Sequence, residues 1–395
     1  MRSKWTRVAV SMLFLELGFG FGSWAVRIPD IQERLGLSKA ALGMALLALA
    51  VGSLLGMPLA SALAARVNGA SLARGCALSF AACLALPALA PSLASLCATL
   101  AVMGAANGAL GVVMNAQASL VERHTGRAVL STCHGVFSVG GLTGSLSAGW
   151  LAGQAVPAML HLPVVAAALV GLALLGAPHL VPTVPVVGAA AFARPTRGLI
   201  VFGVLAFCVL LCEGAVTDWS AVYLREQLAA SPAAAAVGYS AFAVAMAIGR
   251  LSGDRLTSAW GRRRLVRIAG AVATCGAAAI LIAPVLWLGL AGFALLGVGL
   301  SVAFPNVLGA AAEEDPRRVD ASIAAVSTVG YLGFLLGPPL IGLLAQAIGL
   351  RGGLSPLLVC AACVLLLAGT LRTTRSATEH RRADGTPAQV GGRTR

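Results

Sequence analysis

The sequence predicts an all-α membrane protein whose twelve transmembrane helices form two six-helix halves. Of its 395 residues, 58% are hydrophobic and only 11% are charged, whereas a soluble domain carries about a quarter charged residues. The apolar residues form blocks of about twenty, the length at which a helix crosses roughly 30 Å of hydrocarbon. Several residues also recur 191 or 195 residues later, in the second half of the chain. Spanning β-barrels have shorter, alternating segments, so that class is excluded.

Twelve apolar blocks, bounded by charged residues, Pro, Gly or Ser, are the predicted spans. They cover residues 7–28, 38–64, 72–91, 93–121, 128–153, 157–178, 198–223, 234–258, 264–283, 285–312, 320–346 and 352–372. The first block follows a basic start and carries Glu16 at its middle, without a small-residue cleavage site. We therefore predict an uncleaved span there and not a signal peptide.

The basic residues predict the orientation of the chain. If the first residues lie inside the cell, all but five of the 28 Lys and Arg fall on the cytoplasmic side. This asymmetry predicts that both termini are cytoplasmic. It also explains the net charge of +14, so we expect the bilayer and no nucleic acid as a partner. The Ala-rich composition is typical of bacterial proteins, and we predict a multi-pass protein of the cytoplasmic (inner) membrane.

Internal repetition predicts that the two halves are duplicated parallel repeats. The recurring pairs are Trp24 and Trp219 and Gly43 and Gly238, 195 residues apart, and Gly108 and Gly299, Asn115 and Asn306 and Glu122 and Glu313, 191 residues apart. We predict an N-terminal half at 1–178, a cytoplasmic linker at 179–197 and a C-terminal half at 198–372. A hydrophilic tail, 373–395, is predicted to be cytoplasmic and disordered.

Two six-helix parallel repeats resemble the architecture of major facilitator superfamily (MFS) transporters. The segment Gly249–Arg255, followed by Gly261–Arg264, resembles the cytoplasmic loop signature of that superfamily. The equivalent loop of the first half, residues 61–74, keeps Arg66 but has Ala65 in place of the acidic residue. The resemblance implies alternating access to a substrate site between the halves, near the bilayer midplane.

Within the superfamily, the chain resembles the MosC-like branch, which is related to fucose-permease-type sugar porters. The segments Gly20–Ser38, Met114–Gln117 and His134–Gly141 carry this resemblance. It implies a sugar- or cyclitol-like substrate. Fucose permeases carry functional acids in spans 1 and 4, where this sequence has Ala25 and Gly111. Those roles therefore do not transfer to this chain by position.

Acidic residues inside the predicted spans are the candidates for proton coupling. A carboxylate at mid-span is costly in lipid unless it faces a wet cavity or a partner. Glu16 is the first candidate, and Gly20, Ser23 and Arg27 share its helical stripe, which we predict to face the cavity. Glu213 and Asp218 in span 7 are the other candidates. The alternatives are an interhelical hydrogen bond for Glu16 and a hydrated position near the outer end for Asp218.

Polar and aromatic residues of the spans are candidates for binding a small polar organic solute. These residues are Ser23, Trp24, Arg27, Asn107, Asn115, Gln117, His134, Trp219, Asn306 and Tyr331. Amides suit hydroxyl or amide groups on a solute, and aromatic rings can stack on a sugar or an aromatic ring. Hydrogen bonds between helices explain the amides equally well, and anchoring at the membrane interface explains the tryptophans equally well.

Charged residues of two neighbouring cytoplasmic loops predict a gate. The basic loop supplies Arg255 and Arg262 together with Asp254, and the next loop supplies Glu313 and Glu314. We predict that these charges pair when the inner side is closed and part when it opens. The alternative is a set of solvated charges that only obey topology.

No motif predicts an enzyme, a cofactor or a metal site. The sequence has no P-loop, nucleophile elbow or zincin motif. The nine cysteines lie in or beside apolar blocks, and Cys360 and Cys363 form a C-x-x-C without a nearby His or acidic residue. They are interpreted as small apolar side chains. We therefore expect no cofactor or metal.

The function predicted from the sequence is secondary active transport. We expect a monomer that moves a small polar solute, sugar- or cyclitol-like, by alternating access, coupled to protons. Two alternatives remain open at this stage. One is a proton-linked exporter of metabolites or drugs, and the other is a non-transporting membrane sensor or assembly factor with the transporter fold.

Overall fold

The computed structural model describes residues 2–125, 129–182, 199–314 and 318–371, and helices make up most of these ranges. No strand occurs in these ranges. The N-terminal half contains α1 (Arg2–Arg34), α2 (Lys39–Ala64), α3 (Gly69–Cys83), α4 (Leu86–Leu89), α5 (Leu93–Thr125), α6 (Leu130–Gly153) and α7 (Ala158–Gly176). The C-terminal half contains α8 (Ile200–Gln227), α9 (Pro232–Trp260), α10 (Arg262–Ile282), α11 (Leu286–Ser301), α12 (Ala303–Glu314), α13 (Val319–Gly353) and α14 (Ser355–Leu367).

Local sequence sets several helix boundaries. Ser38 and Ser231 cap the starts of α2 and α9, where each hydroxyl accepts a hydrogen bond from a main-chain N–H three residues on. A hydroxyl at this position satisfies one of the free amides of the first turn. Within α13, Gly349 breaks the helix with a φ of 81°, a conformation that glycine adopts without steric cost.

Ten helical segments of the described chain are long and apolar enough to cross a membrane. The prediction of an all-helical membrane protein is confirmed. Two of the twelve predicted spans are not both long and apolar enough to be counted among these ten. The first is α6, whose 24 residues include many Gly, Ser and Thr, and the second is the short segment Ser355–Thr370. The predicted tail and most of the predicted linker lie outside the described residues.

The same helix pairings occur in both halves. In the N-terminal half, α1 packs mainly on α6 and α2 on α5; in the C-terminal half, α8 packs on α13 and α9 on α11. These are equivalent pairs if the second half repeats the first. Between the halves, α2 packs on α13 and α6 on α9. The two halves therefore meet mainly along these two helix pairs, with smaller contacts between α1 and α8.

Glycines allow the close approach of α2 and α5. Gly52 and Gly56 of α2 face α5, and Gly104 and Gly108 of α5 face α2. A Cβ atom at any of these four positions would lie 2.0 to 2.1 Å from a carbonyl oxygen of the other helix. Small residues spaced by four let helix backbones approach in lipid, where no hydrophobic effect pulls helices together. Packing between the two backbones therefore holds this pair.

Replacing Gly104 by Ala should destabilise the protein. The new Cβ would lie 2.0 Å from the Leu49 carbonyl oxygen, so α2 and α5 must separate, and overpacking of this kind costs about 1 to 3 kcal/mol. Gly75→Ala is the matched control, because nothing lies within 4 Å of a Cβ at that position. Thermal unfolding of the purified protein should show a lower midpoint for Gly104→Ala alone. Equal midpoints would contradict the packing account.

Candidate functional site

A cavity of about 700 Å³ lies between the two halves. Helices α1, α2, α5 and α6 line it from the N-terminal half, and α8, α9 and α13 line it from the C-terminal half. Five of the residues predicted from the sequence are in its lining. They are Asn107, His134, Glu213, Asp218 and Tyr331.

The C-terminal wall of the cavity carries the charges. Arg250 of α9 donates from Nη2 to both carboxylate oxygens of Glu213 on α8, at 3.3 and 3.2 Å. Asp218 is only 9% exposed and lines the same cavity, together with Tyr239 and Tyr331. Two carboxyl groups, one guanidinium and two phenols therefore share this wall.

The N-terminal wall is mostly apolar, with a few neutral polar groups. Asn107 donates to the Ser53 hydroxyl, 3.2 Å away. Nε2 of His134 lies 3.2 Å from Oδ1 of Asn115, and the His134 ring packs edge-on against Phe14. Asn115 itself is absent from the lining. It orients His134 from behind.

The cavity reaches one face of the bundle, which we call the inner face: the end at which α1 begins and which the basic loops predict to be cytoplasmic. Ser131 at the start of α6 and Leu251 near the end of α9 belong to the lining. The side chain of Arg250 is 48% exposed. The protein is therefore open towards the inner face.

Ion pairs between the halves close the opposite, outer face. Arg225 at the end of α8 pairs with Asp30 and Glu33 at the end of α1, and Lys39 at the start of α2 pairs with Glu226. Asp30 and Arg225 are 195 residues apart, the spacing at which Trp24 recurs as Trp219 on the same two helices. Equivalent positions of the two halves thus carry opposite charges and meet at the interface.

Small residues bring the helices together beneath these ion pairs. The hydroxyls of Ser145 on α6 and Ser240 on α9 lie 2.7 Å apart. A Cβ at Gly149 of α6 would lie 2.4 Å from the Ala236 side chain, and one at Gly43 of α2 would lie 2.7 Å from the Pro338 carbonyl oxygen. No cavity-sized gap fits between such surfaces, so the outer closure combines charge pairing with close packing.

Glu16 lies away from the cavity. It is fully buried, and its two carboxylate oxygens have no hydrogen-bond partner among the described residues. Leu17 and Phe21 line the cavity instead. The prediction that the Glu16 stripe of α1 faces the cavity was wrong. This stripe packs inside the N-terminal half, where a Cβ at Gly20 would contact Phe80 of α3 and Leu169 of α7.

Four other candidates near the ends of α1 and α8 are also absent from the cavity lining. Ser23 donates to the Gly144 carbonyl oxygen at 3.4 Å. Arg27 donates to Asp30 at 2.7 Å and to Nδ1 of His161 at 3.3 Å, so it supports the outer ion pairs from behind. Trp24 and Trp219 are buried in one hydrophobic cluster. Their predicted roles in binding stay predictions.

The remaining amides make local contacts. Gln117 exchanges two hydrogen bonds of 3.0 Å with the main chain of Val181 and holds the segment after α7. Asn306 donates to Thr257 at 3.2 Å and to the Val302 carbonyl oxygen at 2.8 Å. In this state neither amide lines the cavity.

The predicted cytoplasmic gate differs from the structure in one respect. Arg262 of α10 makes two hydrogen bonds with the Glu313 carboxylate of α12, at 2.7 and 3.0 Å. The expectation was that this pair parts when the inner side opens, yet it is present here. Both partners belong to the C-terminal half, so rocking of the halves does not separate them.

The other gate residues are surface groups. Asp254 and Arg255, like Glu313 and Glu314, are exposed. Neither Asp254 nor Arg255 makes an ion pair with a described residue. That Asp254 and Arg255 help to close the inner face stays a prediction.

The sequence reasoning considered five of the cavity residues and missed others, among them Arg250 and Tyr239. Arg250 lies in the predicted span 234–258 but also in the segment that resembles the loop signature, and it was not considered as a site residue. The structure places it on α9, in the cavity lining. Tyr239 directly follows Gly238, and only Gly238 takes part in the predicted repeat. A helical stripe drawn from Tyr239 would have reached Arg250, eleven residues on. No group of three or more His, Cys, Asp or Glu in the described chain could hold a metal.

The chain belongs to the Major Facilitator Superfamily, whose sequence profile matches residues 9–314 and 202–392. It is 36% identical over 377 residues to an uncharacterized MFS-type transporter of Yersinia pestis, covering 91% of this chain and 92% of that protein. It is 33% identical over 354 residues to the membrane protein MosC of Rhizobium meliloti, covering 88% and 85%. The resemblance to MosC is therefore confirmed.

Solved transporters share the fold. The nucleoside transporter NupG superposes with a TM-score of 0.74 at 15% identity, over 93% of this chain and 98% of that one. A bacterial homologue of the human lysosomal transporter Spinster, inward-facing and occupied, gives a TM-score of 0.76 at 18% identity, over 93% and 96%. At these identities the likeness shows the fold alone.

Reversing the charge of Lys39 should loosen the outer closure. Lys39→Glu places two carboxylates together at the interface, and adding Glu226→Lys restores opposite charges there. Hydrogen–deuterium exchange of the outer ends of α2 and α8 should rise several-fold in the single variant and return in the double variant. Arg34→Glu is the control, since Arg34 is an exposed cation at the same face without a described ion pair. Failure of the double variant to restore protection would contradict the pairing.

Proposed function

We propose that this protein is a secondary active transporter that carries a small organic solute across the bacterial inner membrane by alternating access. In this proposal α6 and Ser355–Thr370 also span, giving twelve spans with both termini cytoplasmic. The observation that carries it is a cavity between two halves that reaches one face only, beneath an outer closure made of contacts between the halves. Rocking of the halves would open the outer face and close the inner one.

Proton coupling is proposed to use the acids of the C-terminal wall. Glu213 and Asp218 line the cavity, where a proton and a solute can both arrive. Arg250 holds Glu213 in this state, and a proton on Glu213 would release the guanidinium. Glu16 is the competing candidate. Its buried, unpartnered carboxyl sits inside one half, so rocking would not carry it to the cavity.

Neutral hydrogen-bonding groups support a polar solute as the first candidate substrate. Asn107, His134, Tyr239 and Tyr331 face the cavity and could bind hydroxyl groups of a sugar- or cyclitol-like molecule. One of the solved proteins with this fold is a D-xylose–proton symporter, a name that agrees with this candidate.

An exporter of less polar metabolites or drugs is the second candidate, and the apolar N-terminal wall favours it. A sensor without transport activity would use the same cavity but would show no flux.

Proton flux driven by the solute should identify the coupling acid. We would reconstitute the protein in proteoliposomes holding a pH-sensitive dye and test sugars, cyclitols, amino acids and drug-like cations. Glu213→Gln should lose at least 90% of the solute-driven proton flux, because the carboxyl that binds the proton is gone. Glu16→Gln should keep most of it, and Ser138→Ala, a neutral cavity variant, should match the unchanged protein.

Two other results would change the account. Flux lost in Glu16→Gln and kept in both Glu213→Gln and Asp218→Asn would move the coupling site to Glu16. Solute binding without flux of any panel member, in either vesicle orientation, would contradict transport and favour the sensor.

A further inference from the structure

The two walls of the cavity differ in chemistry. Ten of the sixteen lining residues from the N-terminal half are apolar, among them Phe21, Met57, Met114 and Phe137. The charges of the opposite wall are Glu213, Asp218 and Arg250. A solute that fits both walls has an apolar body and a polar or charged group on one side.

Asp218 is the charged group on this wall that has no partner. It is 9% exposed and faces the cavity, and it makes no hydrogen bond or ion pair with any residue that the structure describes. Glu213, by contrast, is engaged by Arg250. A buried carboxylate without a partner is costly, so Asp218 offers an open position for a hydrogen-bond donor or a cation.

The surroundings of Asp218 favour a cation over an anion. Its wall holds two carboxyl groups against one guanidinium, and that guanidinium is bound to Glu213. His134 lies on the opposite wall, where its Nε2 is 3.2 Å from Oδ1 of Asn115. Tyr239 and Tyr331 belong to the same wall, and aromatic faces attract cations that lie within about 6 Å of the ring.

We propose that Asp218 binds the cationic amino group of an amphipathic solute whose apolar body lies on the N-terminal wall. This inference rests on the proposed function, because it takes the cavity as the solute site. It selects the second, less polar class of candidate substrate and not the sugar-like one. Glu213 keeps the proton-binding role, so the two carboxyl groups divide the work. An ammonium donates up to three hydrogen bonds and would satisfy the carboxyl oxygens that this state leaves open.

Three probes with the same apolar body test the inference: 4-phenylbutylamine, 4-phenylbutanol and 4-phenylbutyrate. Binding to the purified full chain would be measured by titration calorimetry. The amine should bind about 10- to 100-fold tighter than the alcohol, the range expected for a hydrogen bond to a charged group, and the acid should bind weakest. Asp218→Asn should remove the preference for the amine, while Asp218→Glu and Ser258→Ala, a neutral variant outside the cavity lining, should keep it.

Each contrary result overturns the inference. These results are equal binding of amine and alcohol, tightest binding of the acid, a preference that survives Asp218→Asn, or no binding of any probe. Asp218→Glu keeps the carboxyl group and tests whether the position tolerates substitution. A folding defect in Asp218→Asn would be recognised by the loss of its single size-exclusion peak. The binding experiment and the transport assay fail independently. The preference for the amine can be present without proton flux in vesicles, and flux of a neutral solute can be present without the preference for the amine.

Discussion

The lipid bilayer is the constraint on which the rest of this structure depends. A chain in hydrocarbon must satisfy its own backbone hydrogen bonds, so every span is a helix. Apolar side chains gain little by packing on one another there, and close backbone contact holds the helices instead. Gly52, Gly56, Gly104 and Gly108 give that contact within a half, and similar small residues give it between the halves at the outer face. The charged groups of the described chain then lie in the cavity, towards the helix ends or, as with Glu16, buried inside one half.

The fold was readable from the sequence because its signals are long and repeated. Apolar blocks define helices, and the recurrence of Trp24 as Trp219 points to two equivalent halves. The face of α1 that lines the cavity could not be predicted, as Glu16 illustrates. Because α1 is apolar on nearly every side, its periodicity gives the angles between residues but not the side that faces the cavity. Leu17 and Phe21 line it. Arg250 was hidden for a related reason, since a loop signature overlapped the end of a helix.

Charge is distributed differently on the two faces. The outer ion pairs join the halves through Asp30 with Arg225 and Lys39 with Glu226, whereas the inner pair of Arg262 with Glu313 joins helices of one half. In the proposed alternating access, the pairs between the halves break when the outer face opens. These pairs are partly exposed, and surface ion pairs contribute only about 0 to 1 kcal/mol each. Such weak contacts suit a closure that must also open.

The most direct test of alternating access is a pair of distances measured in vesicles. Noncanonical amino acids at the exposed residues Arg34 and Gln227 would label the outer face, and labels at the exposed residues Arg66 and Trp260 would label the inner face, which leaves the nine cysteines untouched. On addition of a transported solute and a proton gradient, the outer distance should gain a longer component and the inner distance a shorter one. Two distances that stay fixed, or that lengthen together, would contradict alternating access by rocking halves.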